Sequence, residues 1–260
     1  MNIQTMYNKL KGNVVHASSQ GRLKNITGFF KQNEVILLLI VIILITIAGF
    51  INPRFVGVDN IKTMSRDIAI LAIGATGVGF VILTGGIDLS VGSIVAVGGV
   101  MAGYFIVKLG MPIWMGITLT LFLGVMIGVI HGLFVTKLKM HGFLITLVTM
   151  GVARGAMLVL TLGFPITDMP RPFNFFGQGF LFGQIPVPVI IYLVILAITY
   201  FILRYTFVGR HIYAVGGNME AARLSGVNVD KRIVLCYILS TVCAIIVGMI
   251  QAGRMTMGHP

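Results

Sequence analysis

Acidic side chains are scarce in this chain: 260 residues carry 7 Asp+Glu against 19 Lys+Arg, and only 10% are charged. Soluble domains run near a quarter charged, so a water-soluble globule, a cytosolic enzyme and a disordered segment are all poor fits. Cysteine is nearly absent. Cys236 and Cys243 lie seven apart in one apolar run, which excludes a disulfide framework and a CxxC site. The five histidines, His16, His131, His141, His211 and His259, are scattered without HExxH or paired-ligand spacing, so neither metal nor cofactor is expected. No GxxxxGK[ST] loop occurs, and Gly74, Gly77 and Gly79 sit in an apolar run with no strand before them, so the chain should not bind ATP by itself. No nucleophile–base pair is visible, and no catalytic residue is nominated.

What the chain has is apolar length. Hydrophobic residues make up 57%, and seven runs could cross a membrane: Val35–Ile51, Ile68–Thr84, Gly92–Leu109, Pro112–Thr136, Phe143–Gly163, Val187–Phe207 and Ile233–Gly253. The first run reaches roughly 26 Å as a helix. No small-residue cleavage site follows it at Ile51-Asn52-Pro53-Arg54, so it reads as an uncleaved span. The expected fold is all-α, a polytopic transmembrane helix bundle of about seven spans. The net charge of +12 would suggest nucleic acid in a soluble protein. Here the basic residues lie mostly between the apolar runs, where the positive-inside rule accounts for them. With residues 1–34 in the cytoplasm, twelve Lys and Arg fall inside and six outside. That favours a cytoplasmic N-terminus.

The connecting segments differ. The outer one, Phe164–Pro186, is rich in proline and phenylalanine and suits an aromatic interfacial loop or a short re-entrant segment. The inner one, 208–232, is polar and carries helix start and stop signals. Small residues one turn apart at Gly99 and Gly103, at Gly124, Gly128 and Gly132, and at Gly151 and Gly155 suit close helix packing. The Gly74–Gly79 cluster is a candidate bend or path-lining stretch.

Two stretches stand out. In Thr84-Gly85-Gly86-Ile87-Asp88-Leu89-Ser90 a glycine pair lets one helix end and another begin within a few residues. Asp88 or Ser90 can cap the second helix, and Asp88 can equally mark a broken-helix junction near a transport path. In Gly216-Gly217-Asn218-Met219-Glu220-Ala221-Ala222-Arg223-Leu224-Ser225-Gly226, Asn218 is a good N-cap, Glu220 suits the first turn and Gly226 is a natural stop. The spacing predicts a two-turn helix presenting Met219, Ala222 and Ser225 or nearby residues on one small, weakly apolar face. Such a helix suits a solvated loop, or docking in a partner's groove. Arg154 lies within the fifth run without an obvious acidic partner, and is expected to face the bundle interior or a path. Thr146, Thr149 and Gln251 suit interhelical hydrogen bonds or a polar path.

Together and in this order, "TGGIDLSVGS" (Thr84–Ser93) and "GRHIYAVGGNMEAARLSGVNV" (Gly209–Val229) resemble the permease subunits of bacterial sugar ABC importers, most closely the ribose/xylose/galactose-type branch. Matching features run from about residue 35 to 254. The resemblance implies a permease domain over 35–260 in the bacterial inner membrane, working as a homo- or heterodimer with a second permease copy. It also implies two cytoplasmic ATPase subunits and a periplasmic protein that delivers a monosaccharide. Gly216–Gly226 would be the coupling helix received by the ATPase, and Thr84, Gly85, Gly86, Asp88, Ser90 and Arg154 are the candidate path residues. Family members continue beyond the stretch that here reads Arg254–Pro260, so a C-terminally short chain, even a non-transporting one, is an expectation too. An ion-coupled secondary transporter is the main rival, but it would usually need intramembrane acids, and only Asp88 could qualify.

Overall fold

The computed structural model describes residues 33–260, with side chains from residue 36 onward. The basic N-terminal segment expected in the cytoplasm lies outside the described residues, apart from its last two positions. The chain divides into two compact units, residues 1–61 and 62–260, and each is described by itself.

In the first unit, α1 (Asn33–Ile51) is an apolar helix whose stretch Ile36–Ile51 is shorter than the membrane-length helices that follow. It ends at Asn52, whose side chain accepts the Arg54 N–H and starts a 3-10 turn, Pro53–Val56. Helix α2 (Val58–Leu83), which from Lys62 onward belongs to the second unit, begins ten residues earlier than the hydropathy pattern suggested. Its first three turns carry Asp59, Lys62, Arg66 and Asp67, which hide a helix from an apolar-run criterion without disfavouring it. The outer loop expected over 52–67 therefore shrinks to a turn.

In the second unit, α3 (Val91–Gly103) continues through a π turn at Tyr104–Lys108. Next come α4 (Ile113–Thr136), α5 (Gly142–Thr161) and a short helix α6 (Arg171–Gln178). A two-residue hairpin, β1 (Phe180–Leu181) with β2 (Ile185–Pro186), leads into α7 (Val187–Tyr205). Two short helices, α8 (Phe207–Gly217) and α9 (Met219–Leu224), precede α10 (Val229–Met255). Six helices are long and apolar enough to cross a membrane, with α1 as a shorter seventh apolar helix among the described residues. The fold is an all-α membrane bundle.

Helix α10 is its axis. It packs against α3, α4 and α6, and glycines let the backbones meet. Gly128 and Gly132 of α4 face the Cα atoms of Ile238 and Val234, where an added Cβ would meet the α10 backbone at 2.5 Å. Gly98 and Gly99 of α3 cross Ile245 and Gly248 in the same way. Without a hydrophobic drive between helices in lipid, this close van der Waals fit is what selects the packing. The glycine stripes do not all serve it. Gly151 and Gly155 have no neighbour within 4 Å, so that stripe packs no helix here. The expected bend at Gly74–Gly79 is absent: α2 is continuous there, and Gly77 lies against Ser240 and Cys243 of α10. Both cysteines are free and buried.

The Phe164–Pro186 connection contains a short helix that packs back on α10. Phe173 of α6 is fully buried, and Gly177 presses on the α10 backbone near Arg254. The Gln178 amide donates to the Arg254 carbonyl at 2.9 Å, and Arg254 pairs with Asp67 of α2.

Candidate functional site

The α2–α3 junction is folded by its own sequence first. Gly85, at φ +75°, closes α2: its N–H bonds the Ile82 carbonyl and the Gly86 N–H bonds Val81, the paired bonds of a Schellman ending. The chain then runs without regular secondary structure through residues 86–90 before α3 begins. Ser90 makes no side-chain cap. Asp88 does the work: Oδ1 accepts the Ser90 N–H at 3.0 Å and the Ser90 hydroxyl at 2.6 Å, and Oδ2 accepts the Ser240 hydroxyl at 2.7 Å. Asp88 is 7% exposed and Ser90 fully buried. Ser240 lies eleven residues into α10, roughly 17 Å from that helix's first residue. The junction therefore reaches deep along α10 rather than sitting at its end.

Neighbouring helices close around it. The Leu89 N–H donates to Thr146 of α5 at 3.2 Å, and the Tyr237 hydroxyl donates to the Ile87 carbonyl at 3.3 Å. His131 of α4 is fully buried, edge-on to Tyr237 and 2.8 Å from the Thr149 hydroxyl. Thr149 thus makes an interhelical hydrogen bond, and Thr146 holds the junction backbone. Ser240, Tyr237 and His131 carry this cluster but no local signal in the sequence; only the folded partner across 150 residues singles them out.

The α8–α9 segment is built by the same device. The Asn218 side chain accepts the Ala221 N–H at 2.9 Å, and Gly226 at φ +82° gives α9 a second Schellman ending through Arg223 and Ala222. Gly216–Gly226 is not one helix: it comprises the end of α8, a break at Asn218 and the six-residue α9. Helix α8 itself, capped by Thr206, went unread in the sequence. Ala222 does not share an outward face with Met219 and Ser225. It is 5% exposed and turns inward, joining Ile212 and Val215 of α8, Phe80 and Val81 of α2, and Ile233, Cys236 and Tyr237 of α10 in one apolar cluster. Leu224, 83% exposed, with Tyr213 and Met219, faces outward instead. Gly216 rests directly on the Leu83 carbonyl at the end of α2, with no room for a side chain.

The candidate path residues fall in separate places. Thr84, Gly85 and Gly86 border a cavity of about 210 Å³ together with Met140, Gly142, Met219 and Tyr237. Asp88 and Ser90 are packed away behind it. Arg154 faces a different cavity, of about 430 Å³, between α3, α5 and α10, lined also by Gly92, Gly99, Gly248 and Gln251. No group of three or more His, Cys, Asp or Glu side chains that could hold a metal occurs among the described residues.

Residues 60–260 match the model of a family described as branched-chain amino acid transport system / permease component. The chain is 42% identical over 223 residues to the ribose import permease protein of Haemophilus influenzae, covering 84% of this chain and 68% of that one. It is 36% identical over 227 residues to the ribose import permease protein of Escherichia coli K12, covering 86% and 70%. The corresponding protein of Bacillus subtilis is 40% identical over 220 residues, covering 84% and 68%. No solved structure matches. With six membrane-length helices, α10 among them, and a family match from residue 60 to the last residue, the chain belongs to this family of multi-pass transport permeases.

Proposed function

We propose that this chain is the permease subunit of an ATP-driven ABC importer that carries a monosaccharide of the ribose type across the bacterial inner membrane. It acts as one of two permease copies, with two ATPase subunits on the cytoplasmic side and a sugar-delivering protein on the other. The N-terminus and α8–α9 face the cytoplasm. The permease is no enzyme itself, and ATP hydrolysis belongs to the partner. The sugar reading rests on the ribose permeases it is similar to, since the family description itself names amino acids.

The observation that carries the coupling role is the seat of Gly216 on the Leu83 carbonyl. Helices α8 and α9 are fastened by Ile212, Val215 and Ala222 to the ends of α2 and α10, while Met219, Glu220 and Leu224 remain exposed for a partner. A push on α9 reaches the Thr84–Gly86 turn without an intervening soft element. From there Asp88–Ser240 and Tyr237–Ile87 carry it to α10. Packed helices joined this way shift as units, which suits rocking between two access states. Thr84, Gly85, Gly86, Asp88 and Ser90 are thus read as the moving junction of the path, and Arg154 as lining its open part.

The test is a crosslink. Glu220→Cys, with Cys236 and Cys243 changed to Ala, is probed in native membranes for an adduct to an ATPase subunit. The expected result is an adduct whose yield changes with ATP and vanadate. Efficient labelling of residue 220 with the ATPase present and no adduct overturns the coupling role. Uptake of radiolabelled D-ribose against L-leucine by the assembled system then decides the substrate class.

A further inference from the structure

We propose that the groove between the last turn of α4 and the first turns of α10 binds one anionic phospholipid, its phosphate at Lys137 and Lys231 and an acyl chain along the helices beyond them. The groove encloses about 550 Å³. Leu133 of α4 and Val234, Leu235 and Ile238 of α10 make its wall. From Asp230 to Ile238 that wall runs roughly 12 Å along α10. Both helices are membrane-length, so these ends lie where the headgroups of a bilayer begin. The wall makes no polar demand of an occupant. The Thr136 hydroxyl donates to the Gly132 carbonyl at 2.7 Å, and the Asn228 side chain accepts the Lys231 N–H at 3.1 Å.

Charge selects the occupant. Lys137, Lys231 and Arg223 stand at the mouth with one carboxylate, Asp230, which lies 3.1 Å from the Lys137 amine and 3.8 Å from the Arg223 guanidinium. Lys231 has no ion-pair partner among the described residues. The mouth therefore stays positive, and a lipid phosphate brings the missing charge while its chains bring apolar surface. Basic pockets between membrane helices hold anionic headgroups on this ground. A second copy of this chain suits the groove less, because a two-fold contact sets one patch against itself and would oppose two positive mouths. A further helix suits it less as well. Where α4 and α10 meet, Gly128 and Gly132 let the backbones close, whereas the groove is lined by no glycine, alanine or serine. A flexible acyl chain follows a bulky aliphatic wall without close backbone approach.

Fluorescence quenching by brominated lipid tests this on the full chain in vesicles. The one tryptophan is removed as Trp114→Phe, and Leu133→Trp, one turn from Lys137, puts a reporter in the groove. Leu235→Trp repeats the measurement from the opposite wall, and Leu193→Trp on the exposed face of α7 is the control. The vesicles mix phosphatidylcholine with phosphatidylglycerol, and only one of the two carries dibrominated chains. Brominated phosphatidylglycerol should quench more strongly than brominated phosphatidylcholine at residues 133 and 235, and equally at residue 193. Lys137→Gln with Lys231→Gln should abolish the preference, each lysine accounting for about fivefold. Equal quenching by the two lipids in the groove overturns the proposal. So does quenching at residue 193 with none at 133 or 235, which means that protein fills the groove. A preference abolished by inorganic phosphate, but not by chloride at equal ionic strength, overturns the lipid in favour of a free anion.

Discussion

Asp88, at the junction between two membrane-length helices, and Arg154, within another, are both charged, and their surroundings are opposite. The aspartate is buried, with hydrogen bonds from Ser90 and Ser240 fixing both oxygens. The arginine has no partner among the described residues and faces a cavity of about 430 Å³. A satisfied charge in a packed junction holds elements together, and a charge lining a cavity acts on what enters. On the proposed reading, the difference suits Asp88 to the mechanics of the bundle and Arg154 to lining the open part of the path.

The largest expected effect breaks the first half of the contrast. Asp88→Ala leaves the Ser90 N–H, the Ser90 hydroxyl and the Ser240 hydroxyl without their acceptor in a dry site. The cost should be about 3 kcal/mol or more, since each orphaned buried donor is worth about 1–3 kcal/mol. Unfolding of the purified protein in detergent, by heat or by added dodecyl sulfate, measures it. A loss under 1 kcal/mol would mean that water already serves the junction and that the comparison is drawn too sharply.

Ser240→Ala should cost about 2 kcal/mol, because one oxygen of a buried carboxylate loses its charge-assisted bond. It also separates the mechanical role from simple stability. With Asp88 still accepting the Ser90 N–H and hydroxyl at the start of α3, the tie between the junction and α10 is the part removed. In the assembled transporter, ATP hydrolysis per sugar carried should rise while the protein remains folded. Unchanged coupling would assign the Asp88–Ser240 bond to stability alone.

These partners show what the sequence could and could not carry. Asn218, Gly226 and Gly85 are legible because a cap or a left-handed residue acts within three or four positions, and each appears where expected. The spans were legible because apolar length is what a membrane demands. The early start of α2 was not, because charged residues at Asp59, Lys62 and Arg66 look like loop and are compatible with helix. Ala222 was misplaced on an outward face because a six-residue helix has almost no periodicity to read, and tertiary contact with Phe80 and Val81 decides which side turns inward. Ser240 and Leu83 gain their roles only from segments about 150 and 133 positions away, Asp88 and Gly216, and no local pattern marks them.

Asp88→Asn sharpens the comparison at smaller cost. The amide oxygen can still accept the Ser90 N–H, and its NH2 can donate to a Ser240 hydroxyl that reverses its role. A net loss of about 1 kcal/mol is expected, well below that of the alanine variant. Because hydrogen bonding is retained while the charge is removed, a transport defect in this variant larger than that of Ser240→Ala would show that the charge itself serves the junction.

Arg154→Gln should be the mildest change to the fold and the most specific change to function. The exposed side chain anchors no neighbour among the described residues, and glutamine keeps a polar group there, so unfolding should shift by less than about 0.5 kcal/mol, the range of substitutions away from specific contacts. What should change is passage along the path that Arg154 is read as lining. Uptake of radiolabelled D-ribose by the assembled variant should fall while its unfolding stays that of the parent protein. If instead Arg154→Gln unfolds as readily as Asp88→Ala, the arginine is held by partners in the assembly and the two charged residues share one role. A stable variant with slowed uptake separates them.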